Sequence, residues 1–107
     1  MRADAVVLVL TTWPATADPA AFASALVEER LAACVNVMPE MDSTYRWQGR
    51  IERERERQVF IKTTAARLDA LEQRIRELHP YEVPELLVLE LAGGGEAYLG
   101  WVRECTA

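Results

Sequence analysis

Histidine and cysteine are scarce in this chain. There is one histidine, His79, and there are two cysteines, Cys34 and Cys105, which lie far apart without paired spacing. Neither a Ser/His/Asp set nor a Cys/His relay is visible, so nucleophilic catalysis is not indicated. Because no export signal is recognised, we expect the cysteines to be free thiols rather than a disulfide.

Long apolar runs are also absent. The longest near the start covers residues 5–10, far short of the ~20 residues that a membrane-spanning helix needs. It also lacks the basic flank and the cleavage site of a signal peptide. We therefore expect a cytoplasmic protein without a membrane span.

An excess of positive charge is missing as well. The net charge is −5 and the arginines are interleaved with glutamates, which argues against nucleic-acid binding. Residues 11–18 lack the anion-binding arginine that acylphosphatase chemistry requires, and the glycines at 93–95 lack the lysine and hydroxyl spacing of a P-loop. We predict a non-enzymatic protein that forms one domain over residues 1–107.

What the sequence does contain is a long β-hairpin pattern over residues 43–62. Gly49 separates two runs whose character alternates from residue to residue, which is typical of a tight hairpin turn. A period of two places Tyr45 and Trp47 on one strand face. It also separates the charges of the following strand, with Glu52, Glu54 and Glu56 on one side and Arg53, Arg55 and Arg57 on the other. A solvated surface helix is the alternative, but β-branched and aromatic neighbours favour the strand.

The remaining elements follow from apolar periodicity and from breaker residues. Residues 5–10 predict a strand buried on both faces and ended by Trp13-Pro14. Asp18-Pro19 predicts the start of a helix over residues 20–32. Pro39 predicts an edge, a bulge or a break in the strand that begins at Cys34. A second helix should end at His79, followed by a strand over residues 85–91 and a helix over residues 96–104.

This order predicts an α+β, ferredoxin-like βαββαβ fold with helices on one face of an antiparallel sheet and a short C-terminal helix. The hairpin arms are much longer than the other predicted strands. Their unpaired backbone would invite pairing with another chain, so we expect an oligomer.

Several segments resemble the CutA family of divalent-ion tolerance proteins. They are residues 29–36, the Ser43, Tyr45, Trp47 and Gly49 positions of the hairpin, and residues 61–63, 79–85 and 98–101. The resemblance implies a tight homotrimer with hairpins reaching between subunits, and a role in tolerance of copper and other divalent cations. It also implies structural kinship with the PII signalling proteins, so sensing of a small anionic effector is the alternative function. A purely structural scaffold is a third.

The resemblance further implies a cleft between subunits, for which the candidate residues are Tyr45, Trp47, Glu56, Lys62, His79, Tyr81 and Glu85. His79 is the candidate ligand for Cu(II) or another divalent cation. Thr11 stands where some family members have a ligand cysteine, which weakens that expectation. The structural alternatives stay open: His79 could cap a helix, the aromatic side chains could be interface or core residues, and the glutamate row could be a solvated face.

Overall fold

The computed structural model describes all residues from Met1 to Ala107 and contains one sheet and three α-helices. The sheet has four antiparallel strands in the order β2-β3-β1-β4. Its strands are β1 Val6–Pro14, β2 Cys34–Trp47, β3 Arg50–Thr64 and β4 Leu87–Glu90. The helices are α1 Ala20–Glu28, α2 Leu68–Leu78 and α3 Glu96–Cys105, and a short 3₁₀ turn, Ala65–Arg67, precedes α2.

The main core lies between one face of the sheet and the two helices α1 and α2. Alternate residues of β1 and β3 meet the apolar stripes of these helices, and the fully buried members are Val7, Val9, Leu26, Val59, Ile61, Leu71 and Ile75. Burial of each large aliphatic side chain contributes roughly 1.5–3 kcal/mol. The packing therefore follows from a period of two in the strands and of 3.6 in the helices.

The opposite face of the sheet is only partly covered. Helix α3 packs Val102 against Val6 and Ala33 at one end. Further along β1, Leu8 and Leu10 are only half-buried, and all four residues of β4 are exposed. The prediction that the first strand is buried on both faces is therefore wrong for the single chain.

Two predicted element ends differ from the structure because of local backbone geometry. Strand β1 continues through Trp13-Pro14, which is possible because β4 pairs only with residues 7–10 and leaves the other edge of β1 free there. Helix α1 ends at Glu28 because Arg30 takes a left-handed conformation with φ 59°. The Arg30 and Leu31 amides then donate to the carbonyls of Val27 and Leu26. This closes the helix without the usual glycine.

The bounds of two strands also differ from the prediction, whereas α1 begins at Ala20 as predicted. Strand β2 runs from Cys34 through the whole first hairpin arm, and Pro39 lies at a bulge between Val37 and Glu40, as predicted for a proline in a strand. Strand β4 has four residues and is shorter than the predicted 85–91. The Asp18 carboxylate accepts a hydrogen bond from the Ala20 amide, while the first helical bond is accepted by the Pro19 carbonyl.

The hairpin is confirmed, together with its overhang. Gln48 and Gly49 both have positive φ, 50° and 78°, as a two-residue turn that matches the strand twist requires. Strand β1 pairs with β3 only over residues 56–64, so residues 50–55 pair with β2 alone. Neither cysteine is in a disulfide. None of the helices has the length and apolar character needed to cross a membrane.

Candidate functional site

A groove of about 630 Å³ lies between the hairpin and the loop that connects α2 to β4. Its volume falls in the range of small-ligand sites. Alternate residues of β2 form one side and residues 80–85 form the other. The lining residues are Thr12, Met41, Ser43, Tyr45, Trp47, Glu56, Gln58, Pro80, Tyr81, Glu82, Val83 and Glu85.

The hairpin register separates two kinds of surface. Directly paired residues share a face, so Met41 lies beside Glu56 and Tyr45 beside Glu52. Partial desolvation and then the charges of Glu54, Glu56 and Glu52 raise the pKa of the Tyr45 hydroxyl. The predicted segregation of glutamates from arginines is thus confirmed by the pairing.

On the opposite face of the hairpin two of the three arginines, Arg55 and Arg57, have carboxylate partners. Arg55 contacts both Glu40 and Asp42 at 3.1 Å, and Arg57 lies 3.6 Å from Glu40. Arg55 and Arg57 thus pair with acidic residues of β2 and not with the glutamates of their own strand. The glutamate face of the hairpin keeps its negative charge.

His79 anchors the loop from behind the groove. It ends α2 in an extended conformation, as expected before Pro80, and it is 7% exposed. Its Nε2 lies 2.6 Å from the Thr12 carbonyl oxygen, and its Nδ1 accepts a 3.0 Å hydrogen bond from the Tyr81 amide. Since Nδ1 is the acceptor, Nε2 carries the proton and donates it to Thr12. Burial lowers the pKa of His79, opposed in part by the Thr12 bond and by Glu56.

Tyr81 connects this anchor to the hairpin. Its hydroxyl donates a 2.9 Å hydrogen bond to Oε2 of Glu56. Burial, the hydrogen bond and the charge of Glu56 together raise the pKa of Tyr81. The carboxylate of Glu56 is 6% exposed and forms no ion pair. It is therefore a buried acidic group without a cationic partner.

Gln58 connects the far end of the loop to the sheet and was not among the predicted site residues. Its Nε2 donates to the Thr11 carbonyl at 2.7 Å and to Oε2 of Glu85 at 2.9 Å. The signal was present, because Gln58 continues the two-residue period of Glu52, Glu54 and Glu56. Met41, Ser43, Thr12 and Val83 also line the groove without having been proposed as site residues.

The predicted site residues separate into three groups. Tyr45, Trp47, Glu56, Tyr81 and Glu85 line the groove together, whereas His79 lies behind it. Lys62 is elsewhere, with its Nζ 5.5 Å from the centre of the Tyr98 ring. It is six residues from Glu56, about 20 Å along the strand, so it lies on the predicted face but does not line this groove of the single chain. Its place in a cleft between subunits stays a prediction.

The residues present do not form a protein-built metal centre. No group of three or more His, Cys, Asp or Glu side chains is placed to hold an ion. Both ring nitrogens of His79 are engaged, so an ion would have to replace one of these hydrogen bonds. Thr11 is fully buried and its hydroxyl has no partner. His79 as a metal ligand stays a prediction.

The fold defines an α+β protein in which two helices cover one face of a four-stranded antiparallel sheet. Residues 7–105 match the family described as CutA1 divalent ion tolerance protein, and the chain belongs to this family. A divalent-cation tolerance protein CutA from Thermus thermophilus is 46% identical over 99 residues, which cover 92% of this chain and 96% of that protein.

A second relative and a solved structure agree with this. Human protein CutA is 46% identical over 84 residues, or 78% of this chain. The match covers 47% of the human protein, so this chain spans about half its length. The structure of the divalent cation tolerance protein (Cut A1) from Thermus thermophilus superposes with a TM-score of 0.91 at 45% identity, covering 95% of this chain and 99% of that one.

Proposed function

We propose that this chain is the ferredoxin-like subunit of a cytoplasmic, non-catalytic homotrimer that contributes to tolerance of divalent cations, copper among them. Its relatives carry divalent-cation tolerance in their names. The ions would bind as cargo in the groove beside Glu56, keeping water molecules among their ligands, because no protein-built metal centre is present.

The open sheet face and the hairpin overhang support assembly with further copies. Leu87, Leu89 and Leu91 are 53%, 43% and 43% exposed, beside the half-buried Leu8 and Leu10. A contiguous apolar surface of this kind is unusual on a monomer. Residues 50–55 of the hairpin pair with β2 alone within the subunit, which leaves their other edge free. A neighbouring subunit could cover the sheet face and flank the groove.

The single observation that carries the ligand proposal is the unpaired carboxylate of Glu56 inside the groove. The only charged side chains that line the groove are Glu56, Glu82 and Glu85. A cleft of one charge sign raises the local concentration of the opposite ion. The lining therefore favours a cation over the small anionic effector of the alternative, PII-like function.

Native mass spectrometry of the protein titrated with Cu(II) tests both parts of the proposal. We expect a trimer that binds Cu(II) saturably and binds it more weakly after Glu56→Gln, which keeps an oxygen for the Tyr81 bond but removes the charge. Glu104→Gln, an exposed site on α3, is the matched control. If His79 were the ligand, His79→Gln would abolish binding and Glu56→Gln would not. A monomer, or a trimer that ignores Cu(II) and other divalent ions, would refute the proposal.

A further inference from the structure

We propose that Arg30 and Arg67 form a clamp that holds the carboxyl end of α3 on the rest of the subunit, and that this contact is the reason why an arginine occupies a left-handed backbone position. Arg30 has φ 59°, a conformation that glycine adopts freely and that the Cβ atom of other residues disfavours. Backbone strain of this kind persists only where the surrounding structure stabilises it. The clamp is a conformational device within one chain and does not depend on cation binding.

The end of α1 does not by itself require an arginine. The hydrogen bonds that close this helix are made by backbone amides, and glycine would supply the same bonds. The Arg30 side chain forms no ion pair within the chain. Its Nη1 instead donates to the carbonyl oxygens of Glu104 and Cys105, each at 3.4 Å. The side chain thus joins the end of α1 to the end of α3, a contact that glycine could not make.

Arg67 reaches the same end of α3 from the turn that precedes α2. Its Nε donates a 2.7 Å hydrogen bond to the Thr106 carbonyl, and it too forms no ion pair. The last carbonyls of a helix have no amide partner within it and carry the negative end of the helix dipole, so cationic donors stabilise them. The three consecutive carbonyls of residues 104–106 each accept a hydrogen bond from one of the two guanidinium groups. All three bonds lie within one chain, so a neighbouring copy on the sheet face does not supply them.

The apolar contact of α3 within the subunit is small, which gives the clamp a large share in docking the helix. Val102 packs with Val6 and Ala33 in a cluster that is separate from the main core. Segments with few buried apolar contacts open locally while the rest of a domain stays folded. The clamp should therefore control how often the carboxyl end of α3 opens. Because Tyr98 of the same helix lies over Lys62 of the sheet, the clamp also helps to position this ring.

Native-state hydrogen exchange of the intact protein, followed amide by amide with NMR spectroscopy, tests the clamp through two substitutions of one residue. Arg30→Gln removes the guanidinium group but keeps a side chain in the left-handed position, whereas Arg30→Gly removes both the guanidinium group and the strain. We expect each to lower the protection factors of the amides of residues 102–106 about 2- to 10-fold, as for the loss of one hydrogen bond. At the end of α1, amide protection should be about 2- to 5-fold higher in Arg30→Gly than in Arg30→Gln.

Arg67→Gln should lower the protection of the same α3 amides about tenfold or more, because its hydrogen bond is shorter and partly buried. Arg76→Gln is the matched control, since it removes one positive charge from an exposed site in the last turn of α2. We expect it to change the protection of α3 less than about twofold. Unchanged protection of α3 in the two Arg30 variants, an equal loss in Arg76→Gln, or protection at the end of α1 that is no higher in Arg30→Gly than in Arg30→Gln would each overturn the inference.

Discussion

The hydrogen bond from Tyr81 to Glu56 should stabilise the folded protein measurably, and Tyr81→Phe tests this. The substitution removes only the hydroxyl and leaves a carboxylate that is 6% exposed without its hydrogen-bond donor. Hydrogen bonds to charged groups contribute about 1.5–3 kcal/mol. Because Tyr81 itself is half-buried, so that water can replace part of the bond, we expect a loss of about 1–2 kcal/mol in the free energy of unfolding.

The charge dependence of this effect can be isolated with a double-mutant cycle. In a Glu56→Gln background the hydroxyl would donate to a neutral amide oxygen, and such bonds contribute about 0.5–1.5 kcal/mol. Tyr81→Phe should therefore lower the free energy of unfolding less in the Glu56→Gln background than in the wild type. The coupling energy between the two positions should be roughly 1 kcal/mol. Guanidinium unfolding followed by tryptophan fluorescence, at one protein concentration and neutral pH, gives all four free energies.

Tyr98→Phe provides the matched control. Tyr98 is 46% exposed and its hydroxyl makes no hydrogen bond within the chain, so its loss should change stability by less than about 0.5 kcal/mol. If Tyr81→Phe were as mild as Tyr98→Phe, or equally costly with and without the Glu56 charge, the loop would not be held on the hairpin by this bond. The account of how the groove is formed would then be wrong.

Three further effects should follow from the same structure. Burial lowers the pKa of His79 in the folded state below its ordinary value of 6.5. The contribution of His79 to stability should therefore be complete above about pH 6.5 and should be lost as the pH falls towards the lowered pKa. Unfolding measured at several pH values should show that the free energy of unfolding falls more steeply towards acid pH in the wild type than in His79→Gln. Leu26→Ala should lower the free energy of unfolding by about 2–5 kcal/mol because Leu26 is fully buried. Its control is Val27→Ala, at a side chain that is 43% exposed, which should lower it by less than about 1 kcal/mol in the same denaturation assay. Arg55→Gln should lower stability only slightly near 25 °C, because its partners are exposed, and a double-mutant cycle with Asp42→Asn measures that pair.

Strand periodicity accounts for most of what the sequence could predict. The period of two assigned the faces of Tyr45, Trp47 and the glutamate row correctly, because register in a hairpin is set by its turn. The proline after His79 marked the end of α2 for a similarly local reason. These features depend on neighbours a few residues apart, and together they define residues on both sides of the groove.

Features that depend on distant partners could not be predicted in this way. The contact between Tyr81 and Glu56 joins residues 25 apart in sequence, and it requires the whole sheet and α2 to be in place. The end of α1 at a left-handed arginine carries no local signal, since glycine usually occupies that position. Lys62 shows the same limit, because parity assigns a face but not a distance along the strand.

The alternating Glu-Arg run has consequences that its composition conceals. Residues 52–57 contain three glutamates and three arginines, so the segment is neutral when read along the chain. In a strand, however, sequence neighbours point to opposite faces and cannot pair with each other. The pairing of Arg55 and Arg57 with β2 therefore leaves Glu52, Glu54 and Glu56 without cationic partners. The same alternation thus places ion pairs on one face of the hairpin and a row of glutamates without cationic partners on the other. A cation that approaches the groove meets the glutamate face.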